Sequence, residues 1–278
     1  MNGVLRPRSI AILAAASAVG LMMFCWPLLL VPESDATRVD PPFFFMLLLP
    51  LVVGIVVAEL TEGGMDSKAL AMLGVLTAVN GALRTLGAGT AGIELVFFLL
   101  ILSGRVFGAG FGFVLGCTSL FASALLTSGV GPWLPFQMLA SAWIGMGAGL
   151  LPRRFTGRAE IAMLVVYGIV CAYGFGFLMN LSSWPFTLGI EVPGHTGGLS
   201  FVPGDALIEN LHRFAIYTLL TSTAGWDTGR AIANSVAIVL LGPAILATLR
   251  RASRRARYVS RIAPMPGPAK STGPDAAL

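Results

Sequence analysis

Long uncharged apolar runs follow one another through most of this chain, and their length limits what it can fold into. A helix needs about 20 mostly apolar residues to cross a bilayer, and only helices and closed barrels satisfy their own backbone hydrogen bonds there. The chain is therefore predicted to be an all-α, polytopic membrane helical bundle. The runs that approach this length are about 9–31, 43–60, 69–87, 93–107, 111–128, 133–151, 160–183 and 230–249.

The composition argues against a soluble globular domain. Only 11% of the residues are charged and 56% are hydrophobic, whereas a soluble domain carries about 25% charged residues. Many glycines lie inside apolar runs, which favours close helix packing. The three cysteines also lie in apolar segments and the chain has only two histidines, so we predict neither disulfides nor a metal site.

The net charge of +5 comes mostly from arginines at the ends of the apolar runs. Such clusters predict orientation rather than nucleic-acid binding, because positive loops stay in the cytoplasm. The N-terminus, the 153–158 loop and the arginines after residue 249 are thus predicted to be cytoplasmic in a multi-pass plasma-membrane protein. A span at 205–223 would break this pattern, so that segment is predicted to be an interfacial helix within a long external loop.

Polar and aromatic residues at the ends of several runs are predicted to meet at the outer face. Gln137 follows Trp133 by one helical turn, and an amide in hydrocarbon needs a hydrogen-bond partner. Arg84 and Glu94 flank a glycine-rich turn and are predicted to pair. The predicted substrate-binding residues are Asn80, Arg84, Glu94, Trp133, Gln137, Asn180 and Trp184.

A simpler interpretation of the same residues stays open. Gln137 then bonds only to a neighbouring helix, Trp133 is an interfacial anchor, and the pair of Arg84 and Glu94 only stabilises the turn. The third run also has two interpretations. Its small residues Gly74, Ala78 and Ala82 repeat every four positions and form one stripe, which either packs inside the bundle or docks a partner subunit.

Motifs for catalysis are missing from the sequence. It has no nucleotide-binding loop, zinc motif or Ser-x-x-Lys dyad, and the middles of the runs contain almost no acids or bases. We therefore predict neither an enzyme nor a cofactor. An external pocket, a small-residue stripe and basic ends favour a substrate-binding membrane subunit that other proteins drive.

Five segments of the stretch 69–250 carry family-like motifs. The most specific is Gly-Pro-Trp-Leu-Pro-Phe-Gln-Met, at the end of 129–138. The others are Leu-Gly-Val-Leu-Thr-Ala-Val-Asn-Gly-Ala-Leu-Arg (73–84), Gly-Ile-Glu-Leu-Val-Phe-Phe-Leu (92–99), Gly-Arg-Val-Phe-Gly (104–108) and Tyr-Gly-Phe-Gly-Phe-Leu-Met-Asn-Leu (173–181). With these motifs the chain resembles the substrate-specific S components of energy-coupling factor (ECF) transporters, of the actinobacterial type. The resemblance implies a six-helix core at 69–250 and two additional transmembrane helices at 1–68. The basic, Pro- and Ala-rich stretch 251–278 is predicted from its composition to be a disordered cytoplasmic tail.

This resemblance implies a role in uptake. S components bind a vitamin or a metal ion at the outer face, then join a transmembrane coupling subunit and two ATPase subunits, and are thought to topple in the membrane lipid to release the substrate. Gly74, Ala78 and Ala82 match the small residues that meet the coupling subunit. The two histidines lie far from the N-terminus, which disfavours a metal ion.

The motif pattern is most similar to the subgroup associated with cobalamin or related corrinoids. Thiamine, riboflavin and other precursors stay open as substrates. The competing class of protein is a membrane scaffold or assembly protein that binds no small molecule, and a membrane enzyme is a second alternative.

Overall fold

A computed structural model describes residues 7–29, 45–62, 67–87, 92–127, 129–186, 198–202 and 204–262, and every regular element within these ranges is a helix. The predicted all-α class is confirmed for this part of the chain. A 3-10 turn, Trp184–Phe186, follows α8, and a π-helix, Leu219–Asp227, joins α9 to α10. The α-helices are α1 Pro7–Phe24, α2 Trp26–Leu29, α3 Phe45–Glu62, α4 Ser67–Gly87, α5 Val96–Phe107, α6 Ala109–Leu126, α7 Leu134–Leu150, α8 Gly157–Ser183, α9 Leu207–Thr218 and α10 Thr228–Ile262.

Four of the described helical segments are long and apolar enough to cross a membrane by length and composition. They are Pro7–Phe24, Ala109–Leu126, Gly157–Ser183 and Leu207–Arg254, and shorter apolar helices cover Leu51–Thr61 and Val96–Phe107. These segments are compatible with the predicted membrane protein. The eight-span topology, the six-helix core and the orientation stay predictions.

Helix α5 forms the centre of the bundle. Ten of its twelve residues are buried, and it packs against α4, α6, α7, α8 and α10. Its phenylalanine, leucine and isoleucine side chains point in all directions into the bundle, which is why this helix is apolar on every side.

Glycines allow α5, α6 and α7 to touch through their backbones. A Cβ atom on Gly145 of α7 would lie 2.1 Å from the carbonyl oxygen of Gly112 on α6. A Cβ atom on Gly104 of α5 would lie 2.1 Å from the carbonyl oxygen of Gly145. Any larger residue would separate these helices, so the close packing expected from glycines inside apolar runs is present here.

The N-terminal helices α1 and α3 pair with each other and pack against α6, α7 and α8. Within the pair, the buried Ser9 hydroxyl donates to the Glu59 carboxylate, at 2.6 Å from Oε1. Between the pair and the bundle, Trp143 Nε1 of α7 donates to Ser17 Oγ of α1 at 2.9 Å. Helix α4 begins at Ser67, beside the predicted boundary at residue 68.

The segment 205–223 differs from the prediction of a separate helix inside a loop. Leu207–Arg254 is one continuous helical segment of 48 residues, and side chains bond across its π-helix. Thr228 Oγ1 donates to the carbonyl oxygen of Thr223 at 2.7 Å. At the other end, residues 251–262 continue α10 instead of beginning a disordered tail; the rest of the predicted tail lies outside the described residues.

Candidate functional site

Charged side chains and one amide, from four parts of the chain, meet at one end of the bundle. The Glu94 carboxylate bridges two arginines: Oε1 accepts from Arg84 Nε at 3.2 Å and Oε2 from Arg230 Nε at 2.9 Å. Arg84 Nη2 donates to Gln137 Oε1 at 3.0 Å, and Arg230 Nη1 donates to Asp227 Oδ1 at 2.9 Å. We refer to Arg84, Glu94, Gln137, Asp227 and Arg230 as the Glu94 cluster.

Each member of the Glu94 cluster is supplied by a different position in the fold. Arg84 lies in the last turn of α4, and Glu94 lies between Gly92 and the start of α5. Gln137 lies in the first turn of α7, Asp227 ends the π-helix and Arg230 begins α10. The cluster therefore ties the C-terminal end of α4 to the N-terminal ends of α5, α7 and α10.

The charges in the cluster alternate in sign and cancel. Two guanidinium groups face two carboxylates, and the side chains become less exposed from Arg84 at 20% and Glu94 at 19% to Arg230 at 9% and Asp227 at 1%. The Arg230 guanidinium also lies 4.9 Å from the centroid of the Phe175 ring, a cation–π distance. Removing one partner would leave a buried charge without compensation, which is costly.

Backbone contacts hold Glu94 in place. The fully buried Asn234 of α10 donates from Nδ2 to the Glu94 carbonyl oxygen at 2.7 Å and accepts from the Phe98 N–H at 2.6 Å. That N–H belongs to the first turn of α5, whose donors have no partner inside the helix. Gly92 has a φ of 75°, and a Cβ atom there would lie 2.2 Å from the carbonyl oxygen of Trp226. The turn before α5 thus contacts the π-helix through its backbone.

Exposed apolar side chains lie close in the chain to members of the cluster. Trp133 is 50% exposed, Ile93 is 49% exposed and Trp226 is 44% exposed. Trp133 lies one helical turn before Gln137, Ile93 directly precedes Glu94, and Trp226 directly precedes Asp227. The Trp133 ring covers Gly131, where a Cβ atom would lie 2.5 Å from the ring. The two exposed tryptophans offer aromatic surface near Arg84 and Glu94, whose charged groups are partly exposed.

Three residues predicted from the sequence belong to this cluster, and the predicted pair of Arg84 and Glu94 is confirmed. Gln137 bonds to a neighbouring helix through Arg84, as the simpler interpretation has it. Asn80 lies one turn before Arg84 on α4 and donates to Ser119 Oγ of α6 at 3.1 Å. Its own Oδ1 atom is buried without a hydrogen-bond partner among the described residues.

Asn180 and Trp184 lie at the same end of the bundle but outside the Glu94 cluster. Trp184 is buried and donates from Nε1 to the carbonyl oxygen of Leu199 at 2.9 Å. Its ring centroid lies 5.3 Å from that of Phe201 and 5.4 Å from that of Phe214. Trp184 thus connects α8 to residues 198–202 and to α9. Asn180 Nδ2 is buried without a hydrogen-bond partner in the described part of the chain.

A groove of about 350 Å³ has α8 on one side and α9 with the following π-helix on the other. It shares Phe214 with the Trp184 contacts, and none of the Glu94 cluster lines it. Its surface is almost entirely apolar. Its lining includes Phe177, Leu211, Phe214, Thr218, Leu219 and Thr223.

Asp227, Arg230 and Asn234 were missed by the sequence interpretation. Their spacings of three and four residues place them on one helix face, and they precede or begin an apolar run. Charged and amide residues repeated on one face of an otherwise apolar helix are a signal that the sequence does contain.

The stripe of Gly74, Ala78 and Ala82 lies on the outside of α4. All three residues are exposed, and a Cβ atom on Gly74 would meet nothing within 4 Å. Leu70, flanking the stripe, is also exposed. The stripe therefore does not pack against the described part of the bundle, and its docking to a partner subunit stays a prediction.

Within the described ranges, no group of three His, Cys, Asp or Glu side chains is placed to hold a metal ion. Comparison with protein-family models, curated proteins and solved structures finds no match to this chain. The functional argument therefore starts from the Glu94 cluster and the surfaces around it.

Proposed function

We propose that this chain is the substrate-binding S component of an ECF-type importer, which captures a vitamin at the outer face for ATP-driven uptake. A transmembrane coupling subunit and two ATPase subunits would supply the transport step. The observation that carries the proposal is the Glu94 cluster. Ionisable groups inside a membrane bundle are costly to keep and usually serve a ligand or ion pathway.

The two halves of the cluster suit different tasks. Asp227 and Arg230 are buried and fix the start of α10, whereas Arg84 and Glu94 are about one-fifth exposed. A polar group of a ligand can bond to Arg84 or Glu94 while Gln137 holds the Arg84 guanidinium in place and Asp227 stays covered. The exposed rings of Trp133 and Trp226 add the apolar surface that ligand sites normally provide.

Binding of a vitamin by the detergent-purified chain tests this proposal. A panel of vitamins that includes cobalamin, measured by thermal shift and native mass spectrometry, is expected to yield one tight binder; the resemblance favours cobalamin or a related corrinoid. Gln137→Ala is expected to weaken that binding about tenfold or more, since hydrogen bonds to charged groups contribute about 1.5–3 kcal/mol. Thr85→Ala, an exposed change one residue from Arg84, is the matched control.

The exposed stripe on α4 supports the partner assignment. Because α1 and α3 pack against α6, α7 and α8, the additional helices lie on faces other than the stripe. Ala78→Leu is expected to reduce co-purification with the coupling subunit and leave vitamin binding intact. Ala162→Leu, an equal change at an exposed position of α8, is the control; equal loss in both variants would contradict the docking assignment.

A membrane scaffold is the second candidate, and one observation favours it. Every charged group in the Glu94 cluster already has a partner within the protein, as expected if these residues only tie helices together. A scaffold would bind no vitamin from the panel, and Gln137→Ala would lower its thermal stability without any effect on a ligand.

A further inference from the structure

The other end of the bundle holds a second ionic cluster, formed by Arg105, Glu160 and Arg250. Arg105 Nε of α5 donates to Glu160 Oε1 of α8 at 2.7 Å. Arg250 Nη2 of α10 donates to the same oxygen at 2.6 Å. We refer to these three residues as the Glu160 cluster, which joins α5, α8 and α10 at the end opposite the Glu94 cluster.

The two arginines of the Glu160 cluster differ in their remaining donors. Arg105 has a side chain that is 5% exposed, and it also donates to the carbonyl oxygens of Leu151 at 2.9 Å and Phe155 at 3.4 Å. Arg250 is 44% exposed, and Glu160 is its one hydrogen-bonded acceptor among the described residues. Two guanidinium groups share one carboxylate, so one positive charge is left over, and the exposed group is Arg250.

Other exposed arginines increase this charge. Arg153 and Arg154 lie between Leu151 and Phe155, the two residues whose carbonyl oxygens accept from Arg105. Arg251 and Arg254 follow Arg250 on α10. Arg154 lies over the Phe155 ring at 5.0 Å. Glu160, the carboxylate that Arg105 and Arg250 share, is buried, so it offers no exposed negative charge to balance this surface.

Apolar surface leads from the middle of the bundle to this charge. Helices α8 and α10 pack together, and both expose apolar side chains, including Val166, Val170, Leu240 and Leu241. At a rise of 1.5 Å per residue, Leu241 lies about 14 Å from Arg250 along the helix. That is less than half of a hydrocarbon core of about 30 Å, so acyl chains along these helices place a headgroup near Arg250.

From this geometry we infer that the Glu160 end binds the phosphate of an anionic phospholipid, with Arg250 making the direct contact. The free donors of Arg250 bond to the phosphate, and Arg251 and Arg254 add attraction over a longer range. Juxtamembrane basic residues each contribute about 1 kcal/mol to the binding of anionic lipid. This lipid site is independent of the transport proposal, because it uses neither the Glu94 cluster nor the stripe on α4.

Native mass spectrometry of the full chain, titrated with phosphatidylglycerol or phosphatidylcholine of the same acyl chains, tests the inference. We expect tighter binding of phosphatidylglycerol, and an affinity about fivefold lower in Arg250→Gln, the equivalent of about 1 kcal/mol. Arg213→Gln, at the opposite end and paired with Asp205, is the control and is expected to change nothing.

Three results would overturn the lipid site. They are equal binding of the two lipids by the wild type, unchanged affinity in Arg250→Gln, and full displacement of phosphatidylglycerol by millimolar inorganic phosphate, which would indicate a site for a free anion. The wild-type comparison needs no variant, so it decides the question even if Arg250→Gln unfolds. Arg250→Lys keeps the charge and is expected to retain most of the preference.

Discussion

Two glycines on α8 form a matched pair that tests the geometry of the Glu94 cluster. A Cβ atom on Gly176 would lie 2.1 Å from Oδ1 and 2.2 Å from Oδ2 of Asp227, whereas one on Gly174 would meet nothing within 4 Å. Asp227 is 1% exposed and bonded to Arg230 and Ser222. We expect Gly176→Ala to push the carboxylate out of these bonds and Gly174→Ala to disturb nothing.

The expected magnitude follows from the bonds that Asp227 makes. A hydrogen bond to a charged group contributes about 1.5–3 kcal/mol. Replacing glycine by alanine in a helix adds about 1 kcal/mol of stability, and this gain is common to both variants. Gly176→Ala should therefore be about 1.5–3 kcal/mol less stable than Gly174→Ala.

Thermal unfolding in one detergent at one scan rate measures this difference. At about 2–4 °C per kcal/mol, the Tm of Gly176→Ala should lie about 3–12 °C below that of Gly174→Ala. In an Asp227→Ala background the clash is gone, so Gly176→Ala should cost nothing further. Equal Tm values for the two glycine variants, or a loss that persists without Asp227, would refute the assigned contact.

Three further changes have distinct expected outcomes. Glu94→Gln leaves two guanidinium groups without a shared carboxylate and should destabilise by about 3–5 kcal/mol, whereas Asp205→Asn, in an exposed pair, should cost less than about 1 kcal/mol; chemical denaturation compares them. Gly145→Ala drives a methyl group into a carbonyl oxygen of α6 and should lower stability by about 1–3 kcal/mol in the same assay. Trp143→Phe removes the bond to Ser17 and should cost about 1 kcal/mol, a loss that is not repeated when Ser17→Ala is added.

The helices and the pair of Arg84 and Glu94 could be predicted from the sequence because both depend on local information. Apolar runs fix helix positions, and a ten-residue separation across a glycine-rich turn brings the pair within reach. The contact of Glu94 with Arg230 joins residues 136 positions apart. Such a partner depends on how α5 and α10 pack, which no local pattern specifies.

The start of the last helix was harder to predict for a different reason. Gly225 and several hydroxyl residues between 218 and 228 are typical of a turn, and the predicted apolar run begins only at 230. In the structure, Ser222 and Thr228 bond across the π-helix, and the chain stays helical. The contact of Trp184 with Leu199 joins residues 15 positions apart, and no local pattern specifies it either.

The shortness of α5 brings the two ionic clusters close together. Its twelve residues span about 18 Å at 1.5 Å per residue, against a hydrocarbon core of about 30 Å. Charged groups stand at both of its ends, Glu94 just before the helix and Arg105 in its last turn. In a bilayer, the apolar layer between these charges would therefore be little more than half as thick as the hydrocarbon core of the surrounding lipid.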